Sequence, residues 1–582
     1  MSIYFPSSER DPVTAITYTY NDDGTIKKIH NGITVSSENY TYDSFGRLSS
    51  NGLKVGSSTI LNDVYQYQTQ GAGDAGVVIT SNRVSQVTTT LPNATNEITY
   101  YTYDGAGNIT CIRYYYPSNG TNKYVYYHYD NVGQLEREDN QLLGYTYTYS
   151  YDDSGNMVYK DTRNYTTAPT NEVNMTQPIS WESFGRDGNE WGDRCAGYIG
   201  GGSSVAITYD EIGNPINYYN GSSYTFSWEN GRRLAGVVDG SSTYSYEYNQ
   251  DGIRTYKNVW GTGYEYILNG TQIMVEREYV IGSNRTVAER RYFYDANGII
   301  SSAKVYYYGY NGTTCTEFDF FFKTNIQGDV LAVYNASGTE VMKITYDAWG
   351  NFTDTVSTMS HPPSTEQLQA LAIPFRYRGY VYDQETGFYY LNSRYYDPVM
   401  HKFLNADSTS YLGANGDLIG YNLYAYCGNN PVMNNDPLGL WTVSIGFNAK
   451  AYAFVGASIT YSIVLDDKWN IAVQKTEVDT FGNKGAVFGV LGASAGVSYS
   501  ATKCDTVFDL ESASLEISGK TLGGMVDMEA NEFVGITVSD SKASANAGVP
   551  GTVVVSTTET IFDRNISGFI ESIKAKWNAL WR

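Results

Sequence analysis

Histidine and cysteine are scarce in this chain, with four and five copies among 582 residues. The histidines, His30, His128, His361 and His401, are scattered, and Cys111, Cys195, Cys315, Cys427 and Cys504 form no CxxC pair. An odd set of distant thiols argues against a disulfide or zinc framework, so isolated reduced cysteines, no metal site and no cofactor are expected. Basic residues are also short, 39 against 61 acidic, a formal charge of −22. That balance excludes a general binder of nucleic acid or anionic membrane. No run reaches the roughly 18 apolar residues of a membrane-spanning helix. The opening MSIYFPSSERDP has neither a basic nor an apolar stretch, so no signal peptide is visible.

Tyrosine, in contrast, is abundant: 57 residues, 54 of them before position 442, in a region rich in Gly, Asn, Ser and Thr. Aromatic and β-branched residues favour strands, and Gly, Asn and Asp favour turns, so an all-β protein is expected. The pattern aromatic-x-Tyr-Asp/Asn-x-x-Gly recurs as Tyr20–Gly24, Tyr42–Gly46, Tyr103–Gly107, Tyr129–Gly133 and Tyr151–Gly155. It continues as Tyr209–Gly213, Tyr248–Gly252, Tyr294–Gly298, Tyr334–Gly338 and Tyr346–Gly350.

Asp or Asn at one position and Gly three later suit a type I turn closed by a left-handed glycine, a common hairpin connection. Alternating tyrosines before the turn, as in Tyr145/Tyr147/Tyr149/Tyr151, fall on one strand face. An apolar residue follows, as in Gly46-Arg-Leu48 and Gly133-Gln-Leu135. Each unit therefore reads as strand, turn, strand, and such hairpins must line up edge to edge into one curving wall to be stable. The tyrosines are read as cross-strand stacking, with a carbohydrate-binding stripe as the alternative.

This pattern resembles the YD repeats of the bacterial Rhs family, also found in insecticidal toxin complexes and teneurins. The resemblance sharpens over 374–440, where Pro374-Phe-Arg-Tyr-Arg-Gly through Leu-Asn-Ser-Arg-Tyr-Tyr-Asp-Pro398 is similar to the Rhs-associated core. Phe403-Leu-Asn-Ala-Asp407, Gly420–Tyr426, Asn429-Asn-Pro431 and Asp436-Pro-Leu-Gly-Leu440 follow in order. It departs from the family at Asn405-Ala-Asp407-Ser, where Pro-Asp-Pro is commoner, and at His401-Lys402, where Gly-Arg is usual. The resemblance implies a YD-repeat shell at 1–373, a core plug at 374–440 and a variable C-terminal domain, often a toxin, at 441–582.

In some relatives the core is an aspartyl autoprotease cutting after the leucine of DPxGL. Carried over by motif, the candidate catalytic residues are Asp407 and Asp436, and the candidate scissile bond is Leu440–Trp441. The chemistry needs two acids close enough to share a proton, one activating water while the other polarises the carbonyl. Read without the resemblance, both are turn residues.

Composition changes at Trp441. The last 141 residues hold three tyrosines, no histidine, 11 basic and 15 acidic side chains. Nucleases commonly need histidine and a basic surface, so this tail is a poor nuclease candidate. Odd positions from Val443 to Leu465 are all apolar, which means strand, with a bend near Gly456. A second alternation runs from Val487 to Tyr499. The tail reads as a small β-barrel or sandwich, with a membrane-inserting barrel as the sharper alternative. Arg564–Arg582 reads as an amphipathic helix with Ile566, Phe569, Ile570, Ile573, Trp577, Leu580 and Trp581 on one stripe.

About 40 strands at ~4.8 Å make a ribbon about 190 Å long. That is about one turn around a domain of roughly 37 Å diameter, so a partial shell is expected. The function implied is a carrier that holds and presents the tail, released by self-cleavage, in bacterial competition or at the cell surface. Expected partners are a cognate immunity protein and secretion machinery or a surface glycan. The expected location is secreted or cell-surface, and the alternative is an adhesion or carbohydrate-binding repeat protein with a harmless tail.

Overall fold

The computed structural model describes residues 2–4, 15–70, 79–92, 96–166, 177–186, 192–200, 203–309, 315–356, 370–407, 421–439 and 443–444. Beyond these it describes the strands at 457–465, 470–482, 514–517, 520–527, 532–538, 543–546 and 552–565. The chain divides into two compact units, Met1–Ala449 and Lys450–Arg582.

In the first unit the repeats build two antiparallel sheets whose strands follow one another in sequence order. The first has 16 strands, from Ser2–Tyr4 to Ser203–Ala206, and the second has 14, from Thr208–Tyr209 to Phe352–Val356. The all-β expectation holds, but the single wall is divided at Ile207. That side chain turns into the core, and its N–H donates to the Ala196 carbonyl at 2.9 Å, while the strands on either side of it belong to different sheets. The end strands of each sheet have one neighbour apiece, so neither sheet closes on itself.

The corners are built as the spacing predicts. At Asp130 the backbone N–H donates to the Gln134 carbonyl (2.9 Å), and the Gly133 N–H donates back to the Asp130 carbonyl (3.1 Å). The Asp130 carboxylate accepts from the N–H groups of Val132 (3.0 Å) and Gln134 (2.8 Å), an Asx turn that explains why Asp or Asn leads each corner. The glycines of all ten copies have φ between +73° and +101°, a region any Cβ disfavours. Register slips by one residue just before Tyr20, Tyr42, Tyr103, Tyr129 and Tyr151, the bulge that such corners carry. An eleventh corner, Asn325–Gly328, has the same bonds but is preceded by Thr324, so a pattern requiring tyrosine passes over it.

The tyrosine before most of these corners has a second task. Its hydroxyl donates to the carbonyl of a residue near the start of an earlier strand: Tyr42 to Ile26 (3.0 Å), Tyr129 to Ile109 (2.7 Å), Tyr151 to Leu135 (2.7 Å) and Tyr346 to Val330 (2.8 Å). Each of these carbonyls belongs to the residue two beyond a corner glycine. The bond ties one corner to another and needs a ring that carries a donor, a role that Trp228 Nε1 fills at the Pro215 carbonyl (2.7 Å).

One apolar cluster runs through both sheets and the segment from Ala370 to Val432. The sheets also meet each other directly, at the Lys323–Glu97 ion pair among other places. Ala348 N–H donates to Glu138 Oε2 (2.9 Å) and Asn140 Nδ2 to the Tyr346 carbonyl (3.0 Å), while Ala296 N–H donates to the Tyr40 hydroxyl (3.1 Å).

Residues 370–407 and 421–439 pack into the corner-lined end of this unit around a small sheet of Val381–Asp383, Phe388–Tyr390, Tyr395–Asp397 and Lys402–Phe403. The docking uses carbonyls at or next to corner glycines as acceptors. Tyr389 donates to Gly350 (2.8 Å), Tyr424 to Gly213 (2.8 Å), Asn429 Nδ2 to Gly155 (2.6 Å) and Asn430 Nδ2 to Gly133 (3.0 Å). The core block thus reads the repeated feature of the wall rather than any one strand.

The second unit is a seven-stranded antiparallel sheet among the described residues. Its order is Ala457–Leu465, Asn470–Gly482, Thr552–Asn565, Ala543–Asn546, Glu532–Val538, Lys520–Asp527, Ser514–Ile517. The expected strand starts after Gly456, where the bend was placed. The second alternation lies outside the described residues. The expected terminal helix does not start at Arg564, which with Asn565 ends the strand Thr552–Asn565, and its remainder lies outside the described residues. No helix among the described residues is long and apolar enough to cross a membrane.

Candidate functional site

The two acids singled out by motif come together on one side chain. Arg394 Nη2 lies 2.9 Å from Asp407 Oδ2 and 3.5 Å from Asp436 Oδ2. Asp436 follows the strand Asn434–Asn435, which pairs with Val443–Ser444. Asp436 N–H donates to the Tyr380 hydroxyl at 2.9 Å, and Tyr380 in turn accepts from Tyr426 at 3.2 Å. Asp407 is placed from the other side: its N–H donates to the Leu423 carbonyl at 2.9 Å, and Arg232 Nη1 donates to the Ala406 and Asp407 carbonyls.

Arg394 itself is buried. Its guanidinium carbon sits 3.6 Å from the centre of the Phe403 ring, and Nη1 donates to the Leu423 carbonyl at 3.1 Å. Burial pulls its pKa below the ordinary guanidinium range, and the carboxylates, Asp407 before Asp436, act against that pull. Two buried acids repel unless a cation or a proton separates them, and here a guanidinium does so.

The chain leading to the candidate bond is held by the same corner. Asn392 Nδ2 donates to the Pro437 carbonyl (3.1 Å), Ser393 Oγ lies 2.6 Å from the Leu438 carbonyl and 2.7 Å from that of Gly439, and Arg394 Nε donates to Gly439. Leu440 and Trp441 lie outside the described residues. Asn392, Ser393 and Arg394 all stand in the core block quoted above, but motif reading passed over them. The available signal was an arginine amid aromatic and small polar residues, a charge with no reason to be there unless an acid faces it.

The other buried acids of the core are engaged elsewhere. Asp383 is held by Arg254 and Lys257, with Arg254 Nη2 at 2.9 Å and Lys257 Nζ at 3.0 Å from Oδ1. Asp397 accepts from the Tyr218 hydroxyl (2.9 Å) and Asn220 Nδ2 (2.7 Å), and burial raises it to about 6. His401, where the family commonly has glycine, sits at φ +59° with its ring edge-on to Tyr149, Phe184 and Trp349. Burial first, then Lys160 and Lys402, hold its pKa well below the ordinary imidazole range, so it is neutral. Of the four sequence-level site residues, the structure brings Asp407 and Asp436 together, and it does not describe Leu440 and Trp441.

Comparison with known proteins agrees with this architecture. The Teneurin YD-shell family matches residues 315–432. The tRNA3(Ser)-specific nuclease WapA of Bacillus spizizenii is 32% identical over 254 residues, 42% of this chain and 10% of its own length. The tRNA nuclease WapA of Bacillus subtilis matches at the same identity and coverage. The chain therefore spans about a tenth of the length of these curated relatives. Among solved structures, TcdB2-TccC3-TEV aligns with 73% of this chain and 21% of its own, at 18% identity and a TM-score of 0.47.

Proposed function

We propose that this chain is a YD-repeat protein of the Rhs type whose shell and core hold and present the C-terminal β domain, which is freed by self-cleavage after Leu440. The domains on this reading are the shell at 1–373, the core at 374–440 and the variable domain at 441–582. The convergence of Asp407 and Asp436 on Arg394, together with that arginine's bond to the carbonyl of Gly439, carries the reading.

The reaction would be hydrolysis. One carboxylate takes a proton from water as the oxygen adds to the Leu440 carbonyl carbon, and the other, protonated, donates to the carbonyl oxygen. Collapse breaks the C–N bond as the acid that took the water proton returns it to the nitrogen and the other acid recovers its proton from the tetrahedral carbon's hydroxyl, leaving a carboxylic acid on Leu440 and an amine on Trp441. Arg394 offsets the charge of the acid pair and takes no part in the proton transfers.

Mass spectrometry of the purified chain tests this. The wild type yields fragments ending at Leu440 and starting at Trp441, while Asp407→Ala and Asp436→Ala each remain whole. A wild-type chain intact after long incubation overturns the self-cleavage reading.

The presented domain would act outside the producing cell, with an immunity protein as its partner in the producer. Expression of residues 441–582 in bacterial cytoplasm and periplasm, scoring growth, decides between a toxin and an inert tail. The WapA relatives are tRNA nucleases by name, but a tail with no histidine and more acid than base does not share the usual nuclease composition.

A further inference from the structure

We infer that the corner Leu391–Arg394 is a positioning clamp that sets which peptide bond is presented to Asp407 and Asp436, with Ser393 as its central grip. The inference rests on the self-cleavage reading and adds to it the source of its specificity. Three consecutive residues hold three consecutive carbonyls in register: Asn392 holds Pro437, Ser393 reaches Leu438 and Gly439, and Arg394 holds Gly439. The Ser393 N–H adds a further bond to the Leu438 carbonyl at 3.2 Å. The bond to be cut begins one residue past the last gripped carbonyl.

Such a ladder could slip by a residue unless something marks its register. Gly439 is that mark. Its φ is +69°, and a Cβ there would come within 2.8 Å of the Leu391 carbonyl oxygen and of Ser393 Oγ, and 3.1 Å of Arg394 N. Two of those three atoms are backbone and cannot move aside without opening the corner. The corner is itself fixed by Asn392 at φ +64°, a conformation that asparagine tolerates, and by a 2.7 Å bond from Ser393 N–H to the Leu391 carbonyl. Only the residue without a side chain fits the slot, which fixes the register of the gripped stretch 437–439. Arg394 couples the two functions, since its Nε faces the gripped strand and its Nη2 faces both acids.

The test uses the full chain with Ser393→Ala, Ser393→Thr and Gly439→Ala. Fragment masses and a cleavage time course are read beside hydrogen exchange of the 436–442 peptide and thermal melting. Ser393→Ala is expected to melt within a few degrees of wild type, to exchange in 436–442 at least tenfold faster, and to cut at least tenfold more slowly. Ser393→Thr, which keeps the hydroxyl, is expected to restore both, and Gly439→Ala to release the segment as Ser393→Ala does. Cleavage and exchange unchanged in Ser393→Ala would overturn the clamp, as would a threonine variant that behaves like alanine. An uncut wild type would instead remove the self-cleavage reading, and the exchange comparison would still decide whether the segment is held.

Discussion

At the residue scale, the tyrosine that precedes most of these corners does more than fill space. The Tyr151 ring is half-buried against the core, and its hydroxyl donates to the Leu135 carbonyl at 2.7 Å. Removing that one donor leaves a carbonyl without its bond while the packing survives, a loss of about 1 kcal/mol. Tyr151→Phe should therefore lower stability by that amount in denaturant unfolding, and Tyr151→Leu by more, because ring contacts go as well. The corner glycine is the stricter requirement. At Gly350, φ is +91° and a Cβ would meet the Tyr377 ring at 2.8 Å, so strain and overlap add. Gly350→Ala is expected to cost more than the roughly 1 kcal/mol typical of a left-handed position alone, read as a lower unfolding midpoint.

At the scale of elements, buried charges join pieces that are far apart in sequence. Asp383 in the core meets Arg254 and Lys257 on neighbouring strand positions of the second sheet, and all three are buried. Removing the acid leaves Arg254 without its carboxylate while Lys257 keeps Glu385 at 3.0 Å, and the cost of one-sided removal is about 3–5 kcal/mol. Asp383→Asn should destabilise by that order and expose 374–407 to limited proteolysis. Two of the contacts between the sheets behave differently, because there acids face acids. Glu138 lies near Asp347, and burial first, then the Asp347 charge, push it up to about 8. Asp295 is raised to about 7 by burial and then by Glu38. The groups facing them are Lys160 beside Glu138 and Asp347, and Ser301 and Tyr40 beside Glu38. An acid whose folded pKa is raised binds protons the unfolded chain does not, so its stabilising share is complete below the ordinary carboxylate range and is lost as pH rises through the folded value. The melting temperature should fall between pH 5 and pH 8, and Glu138→Gln should flatten that slope. His401 works in the opposite direction: held neutral, it costs stability as pH drops below the ordinary imidazole range. The expected maximum is therefore near mildly acidic pH.

At the scale of the whole molecule, two facts bear on function. The chain has two compact units, Met1–Ala449 and Lys450–Arg582, and the candidate bond at Leu440 stands close to the boundary between them in sequence. A cut there is expected to leave the first unit with its plug in place, since the plug is bonded to corners at Gly133, Gly155, Gly213 and Gly350. After cleavage, residues 1–440 are expected to keep the melting transition of the uncut chain within a few degrees, as measured by calorimetry on purified fragments. A collapse of that transition would mean the strand Val443–Ser444 is needed to hold the core.

The local rules were legible because they are local. An Asp or Asn that closes an Asx turn, a glycine that accepts positive φ, and alternating tyrosines act within a few residues, so the ten corners and the order of the strands could be read directly. The division at Ile207 could not, because it depends on where that side chain finds a core to enter. The acid pair shows the same limit. Asp407 and Asp436 were visible as motif positions, but 29 residues of separation say nothing about distance, and Arg394 looked like one more polar residue of the core block. Sequence alone determined the hairpin, its handed corner and its repetition, since those energies arise between near neighbours. The tertiary structure decided which acids share a cation and which glycine accepts no Cβ, because those depend on chain segments that meet only when the wall folds around its plug.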